Sequence, residues 1–275
     1  AVRAGGVPPL VDAHVHVFTA DLPLTGRAWT KPETAFGVEE LIAQMDAAGV
    51  THAVISAMSL LADPNTYTLE ALAAHPDRLR ATLDLDGRVP RAELERLRRV
   101  GVVGVRWQLR RAPVLPDPAD PDVRALLRAV ADLGWHIEIN VEQDRLAGLL
   151  AGLCASGVEV VVDHFGDPDR THGYATEGGQ ALLRALDTGR VRVKLSAAHR
   201  FRVPPAVLAA HAARLLRLAG PERLFLGTDA PFVGTAQPTT YAAEIARFAE
   251  LVPDAAVRAA VSAAAHAYYF EEDRG

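Results

Sequence analysis

The run Val11-Asp12-Ala13-His14-Val15-His16-Val17-Phe18 is a short apolar segment that ends in His-x-His. Residues two apart on a β-strand point to the same face, so the imidazoles of His14 and His16 converge on one point. A histidine and an aspartate each end another apolar run far downstream, in Asp163-His164 and Thr228-Asp229. Neutral imidazoles and a carboxylate suit Zn(II) or a similar divalent ion, with at least one position left for water. Such an ion lowers the pKa of its water towards about 7 and polarises a carbonyl oxygen. His14, His16, His164 and Asp229 are thus the candidate catalytic residues and the candidate ligands of one divalent ion, zinc by preference. Two arrangements are chemically sound: Asp229 as a fourth ligand, or Asp229 as a free base beside a three-histidine site.

These residues need elements that bring distant strand ends together. Short Val/Ile/Leu-rich runs alternate with longer Ala/Leu/Arg/Glu segments of helical period, the pattern of βα units. Strands are expected near Leu10–His16, His52–Ala57, Leu79–Leu83, Val103–Trp107, His136–Val141, Val158–His164, Val191–Ser196 and Leu224–Asp229. Nine helices are expected, seven between the strands and two, near Tyr241–Leu251 and Asp254–Tyr268, closing the chain. Eight near-continuous apolar strands imply an α/β fold of the closed (β/α)8 TIM-barrel type, one domain over residues 10–275 after a disordered lead-in at 1–9. An open doubly wound sheet is disfavoured, because His-x-His stands where a Gly-x-Gly-x-x-Gly would follow the first strand. Three long βα loops, Thr19–Gly37, Arg110–Asp122 and Gly166–Gly178, fall at the end of the barrel where such folds build their sites.

The 275 residues match one barrel, and 49% hydrophobic with 23% charged residues is ordinary for a globular enzyme. A net charge of -5 gives no footprint for nucleic acid or an anionic membrane surface. There is no apolar run of transmembrane length, and a cytoplasmic enzyme is expected. The single cysteine, Cys154, excludes an intrachain disulfide and reads as a small apolar packing residue. His52, His75, His136, His211 and His266 read as structural or exposed, whereas His172 and His199 lie where they could face a ligand.

Five segments together carry a family resemblance: Asp-Ala-His-Val-His-Val-Phe, Gly-Val-Arg-Trp, Val-Asp-His-Phe-Gly, Lys-Leu-Ser and Gly-Thr-Asp-Ala-Pro. In this order and spacing the chain resembles the amidohydrolase-2 branch of the amidohydrolase superfamily. Within it the chain is most similar to the lactonase group that includes 2-pyrone-4,6-dicarboxylate lactonase and 4-sulfomuconolactone hydrolase. The resemblance implies that Asp229 takes a proton from the hydrolytic water. It implies that the histidines act on the carbonyl, through a metal or, as in some members, without one. It also places substrate carboxylates on Arg106, on Arg111 or its neighbour Arg110, and on Arg200; a guanidinium grips a carboxylate bidentately.

Two departures argue against an identical substrate. Many relatives read Asp-Trp-Pro-His after the last strand, where this chain has Asp229-Ala230-Pro231-Phe232, and Asn140 stands where the pyrone-dicarboxylate enzymes place a substrate-contacting tyrosine. Asn140 and His199 join the arginines as candidate substrate contacts. The expectation is a hydrolase that opens a small carboxylated lactone, its partner a small anion. The alternatives are a metal-dependent decarboxylase of a small aromatic or semialdehyde acid, with His199 above the metal, and a barrel that binds an anion without turnover.

Overall fold

Eight apolar runs pair side by side in chain order in the computed structural model, which describes residues 8–271. They are β1 (Val11–Val15), β2 (His52–Ser56), β3 (Leu79–Leu83), β4 (Val102–Gln108), β5 (His136–Asn140), β6 (Glu159–Val162), β7 (Val191–Ser196) and β8 (Leu224–Gly227). Every neighbouring pair is parallel. The expected lead-in at 1–9 lies, except for its last two residues, outside the described segment. Helices α1 (Val38–Ala48), α2 (Thr66–Ala74), α3 (Arg91–Arg99), α4 (Pro121–Asp132), α5 (Leu146–Ser156), α6 (Glu177–Leu186) and α7 (Pro205–Ala219) alternate with the strands. Helices α8 (Tyr241–Leu251) and α9 (Ala255–Phe270) end the chain. This is the expected (β/α)8 barrel, and no described helix is long and apolar enough to cross a membrane.

The main apolar core lies between the sheet and the helices. Outward residues such as Ile55, Val105, Ile137 and Leu195 are buried against Leu41, Met45, Leu72, Leu127 and Leu182. At the N-terminal ends of the strands, the inward Phe225 packs against Tyr268 and Tyr269 of α9, with ring centroids 5.1 and 4.9 Å apart.

The middle of the barrel is polar instead. Parallel register sets Arg106 beside Glu138 and Ser56 beside Thr82, all on the inward face. These residues, with Lys194, are between 0% and 3% exposed. Barrel interiors are usually filled with branched apolar side chains, so this layer serves something other than packing.

Closure is between β1 and β8. Asp229 N donates to His14 O and His16 N to Ala230 O, each at 2.8 Å. One step below, the Asp12 carboxylate stands in for the ladder by accepting from Thr228 N at 2.9 Å and Thr228 Oγ1 at 2.7 Å. Burial nonetheless pushes the Asp12 carboxyl up to about 6.

Candidate active site

Asp229 is the hub. Strand β8 stops at Gly227, and Asp229 adopts a left-handed backbone (φ 68) that turns its side chain over the barrel axis. Its Oδ1 lies 3.3 Å from His16 Nε2, 3.5 Å from His14 Nε2 and 3.9 Å from His164 Nε2. Its Oδ2 accepts from Arg200 Nε at 2.6 Å. Burial works to raise the Asp229 pKa, but Arg200 and the imidazoles of His16 and His164 hold it well below the usual carboxylate range.

Strand alternation positions His14 and His16 as expected, with ring centroids 5.0 Å apart. His164 arrives differently. It lies beyond the end of β6, in a left-handed turn (φ 51) followed by Phe165 (φ 59), and Ser196 Oγ holds its Nδ1 at 2.8 Å. Burial, aided by neighbouring cations, keeps His14 neutral far below the usual imidazole range, and burial pulls His164 down to about 3. All seven described non-glycine residues with positive φ follow β4, β6, β7 or β8 on the C-terminal side. Such conformations cost about 1–3 kcal/mol each and concentrate at functional sites.

The donor set fits a divalent ion. His16 Nδ1 donates to Ser56 O at 2.8 Å, which leaves Nε2 as a bare lone pair facing the Asp229 carboxylate. Two lone-pair atoms at 3.3 Å need a cation between them, a proton or a metal ion. His14 Nε2 is fully buried, has no hydrogen-bond partner and points to the same place. His14, His16 and Asp229 bring one ligand atom each within 4.8 Å of one another, and so do His14, Asp163 and His164.

Beneath these groups lies an ion cage that sequence reasoning missed. Lys194 Nζ is 2.8 Å from Glu138 Oε2, 3.2 Å from His14 Nδ1 and 3.6 Å from Asp163 Oδ1. Ser56 Oγ donates to Glu138 Oε1 at 2.7 Å, and Thr82 Oγ1 to Glu138 Oε2 at 3.0 Å. Two cations, Lys194 and Arg106, balance two anions, Glu138 and Asp163. Burial and Asp163 would raise the Glu138 pKa, yet Lys194, His14 and Arg106 keep it lowered. The signal was present in His136-Ile137-Glu138-Ile139-Asn140 and Arg192-Val193-Lys194-Leu195-Ser196, where polar and apolar residues alternate. In a parallel barrel strand covered by helices, the polar set of such an alternation faces inward.

The arginines divide into two kinds. Arg106 is 3% exposed, and its nitrogens serve the protein: Nε reaches Glu138 at 3.0 Å, Nη2 Asp163 at 3.2 Å and Nη1 Ala57 O at 2.5 Å. It lines the cavity and is at the same time a strut of the ion cage, an internal role that the expected carboxylate contact did not include. Arg200 is half committed, with Nε on Asp229 and Nη2 on Val233 O at 2.9 Å. Arg110 pairs with Asp167 at 2.9 Å. Arg111 has no carboxylate within ion-pair distance of its guanidinium among the described residues, and that guanidinium lies over the Trp29 ring, 5.1 Å from its centroid. Arg111, Arg200 and Asn140 all line a cavity of about 1030 Å3 above Asp229.

Two other expectations change. His199 does not line this cavity: its side chain is 2% exposed and sits behind Asp229, 3.7 Å from Asp229 Oδ2 and 3.8 Å from Glu244 Oε2. The left-handed Ala197 (φ 57) starts the turn that directs it there. His172 is exposed and pairs with Asp169 of its own loop at 3.1 Å.

Comparison with known proteins finds the chain similar to lactone hydrolases in sequence and fold. A 4-sulfomuconolactone hydrolase of Hydrogenophaga intermedia is 26% identical over 81% of this chain and 75% of its own. A 2-pyrone-4,6-dicarboxylate hydrolase of Comamonas testosteroni is 29% identical over 64% of this chain, a match that spans 58% of that relative's length. A solved structure of a probable 2-pyrone-4,6-dicarboxylic acid hydrolase from Acinetobacter baumannii, with citric acid bound, superposes with a TM-score of 0.85. It is 27% identical, over 91% of this chain and 95% of that one. The family model described as Amidohydrolase matches residues 11–265, nearly the whole barrel, so the chain belongs to the amidohydrolase family.

Proposed function

We propose that this enzyme hydrolyses the ring ester of a small carboxylated lactone, with Asp229 as general base. One observation carries the reading: a buried, ionised aspartate on which three imidazoles converge, at the floor of a cavity rimmed by arginines. The lactone hydrolases among the relatives support the ester as the bond attacked.

The chain's own groups supply the steps. Asp229 Oδ1 takes a proton from water, and the water oxygen bonds to the lactone carbonyl carbon. Arg200 keeps that carboxylate ionised and fixed in orientation through its 2.6 Å bond to Oδ2. The imidazoles of His14, His16 and His164 converge on the reacting carbonyl, where a proton or a bound cation at their Nε2 atoms would stabilise the developing oxyanion. As the C–O ring bond breaks, the ring oxygen recovers the proton from Asp229, and a hydroxy acid is released. Arg111 and the remaining Nη1 of Arg200 hold substrate carboxylates and fix the angle of attack. His14, His16 and His164 would hold one divalent ion, zinc by donor chemistry, with Asp229 left as the base; when bound, such an ion polarises the carbonyl and acidifies water.

A pH-indicator screen of carboxylated lactones, with and without added Zn(II) and Mn(II), tests the function: ring opening releases a proton. Release of CO2 from an aromatic acid without proton release would replace this reading with the decarboxylase. No observation favours that alternative, because His199 lies behind Asp229. Elemental analysis of protein purified without chelators tests the ion; less than a tenth of an equivalent of metal, with full activity in EDTA, would remove it.

A further inference from the structure

Trp29 is out of place for a structural residue. Its indole is 48% exposed, while Trp107 and Trp135 are 8% and 3% exposed. It stands on the long loop after β1 and lines the cavity above Asp229. Its ring tip enters a notch at Gly234 on the loop after β8, where φ is +69 and an added Cβ would lie 2.4 Å from the indole. Across its face lies the Arg111 guanidinium from the loop after β4. Three βα loops therefore meet on this one side chain.

The pairing has a chemical consequence. A guanidinium over an aromatic ring is held through its face, which leaves its in-plane N–H fork free for a carboxylate. The Arg111 backbone is pinned as well, with φ 63 and its N–H donating to Glu142 Oε1 at 2.7 Å. Three of the acidic groups that line this cavity are engaged: Glu142 by Arg111 N and Arg145, Asp167 by Arg110, Asp169 by its own loop; Asp84 and Asp144 also line it. Arg27, two residues before Trp29, lines the same mouth with no carboxylate within ion-pair distance among the described residues. The cavity lining as a whole carries seven arginines against six carboxylates, and Arg27 and Arg111 at its mouth are not ion-paired with any of them.

We propose that Trp29 is a positioning residue that carries Arg111 as a preformed fork for a substrate carboxylate remote from the scissile carbonyl. This deepens the lactone-hydrolysis reading and rests on it for the reaction, though not for the binding of the anion.

The test is calorimetric titration with tricarballylate, a tricarboxylate with no lactone to hydrolyse. Trp29→Ala and Arg111→Met should each weaken binding about tenfold. The double variant should bind no more weakly than Arg111→Met, because Trp29 acts through Arg111. Trp29→Phe, which keeps an aromatic face, should stay within about threefold of wild type. Wild-type affinity in Trp29→Ala, additive losses in the double variant, or no tricarballylate binding by the wild-type enzyme would each overturn the proposal. Failure of the lactone reading looks different: no proton release from any carboxylated lactone while tricarballylate binding and its loss in the variants persist.

Discussion

Replacing Lys194 with Met tests the buried ion cage directly. The side chain is 0% exposed, and its Nζ lies 2.8 Å from Glu138 Oε2, also at 0% exposure. Methionine nearly conserves the volume, so the packing change is small. The charge change is not small: Lys194 and Arg106 balance Glu138 and Asp163, and removing one cation leaves an uncompensated anion in the barrel. Breaking a buried pair in this way costs about 3–5 kcal/mol, a large share of the roughly 5–15 kcal/mol of a whole domain. At about 2–4 °C per kcal/mol for a chain near this size, the melting temperature should fall by roughly 6–20 °C. The double variant Lys194→Met/Glu138→Gln removes one charge of each sign and leaves Arg106 and Asp163 balanced. Its loss should be smaller than the sum of the two single losses by about 2 kcal/mol. Urea denaturation at neutral pH measures all three. A Lys194→Met loss below about 1 kcal/mol, or strictly additive single losses, would refute the charge-balance argument.

Other expectations follow from the same geometry. Asp229→Asn should lower kcat at least about a hundredfold while leaving the fold intact, checked by rate and circular dichroism on one preparation. Arg106→Met should act first on stability, since its nitrogens serve Glu138, Asp163 and Ala57, and Arg111→Met first on KM for anionic substrates. A KM effect of Arg106→Met with unchanged melting would contradict this division. Folding stability should fall on acidification from about pH 6.5. His52 and His164 are held neutral with values near 4 and 3, and His14 lies well below its usual range. Lowered folded-state values mean that the unfolded chain binds these protons first, so the stability present above pH 6.5 is lost as pH falls towards 3. Asp12, raised to about 6, and Asp84, also raised by burial, act in the opposite sense but are two groups against four, since His211 is lowered as well. A denaturation midpoint higher at pH 5 than at pH 7 would refute the sign.

What could be read in the sequence is what depends on local periodicity. Apolar runs alternating with helical segments specified eight strands and nine helices, with ends that differ by at most two residues in the structure. Period-two alternation specified that His14 and His16 share a face, and strand-end position placed Asp229 at the same site. Tertiary structure decided matters that period cannot carry. His164 reaches the hub through a left-handed turn rather than strand alternation, and His199 turns behind Asp229 because Ala197 reverses the backbone. The roles of the arginines were likewise undecided in sequence. A guanidinium is a free carboxylate grip or an internal strut according to which anions other strands bring beside it, and Glu138 and Asp163 reach Arg106 only when β4, β5 and β6 pair in register. Trp29 is an unremarkable loop residue until Gly234 and Arg111, more than eighty positions away in either case, fold against its ring. Side-chain direction along a strand is set by covalent geometry and is local; the partner a charge meets is set by topology and is not.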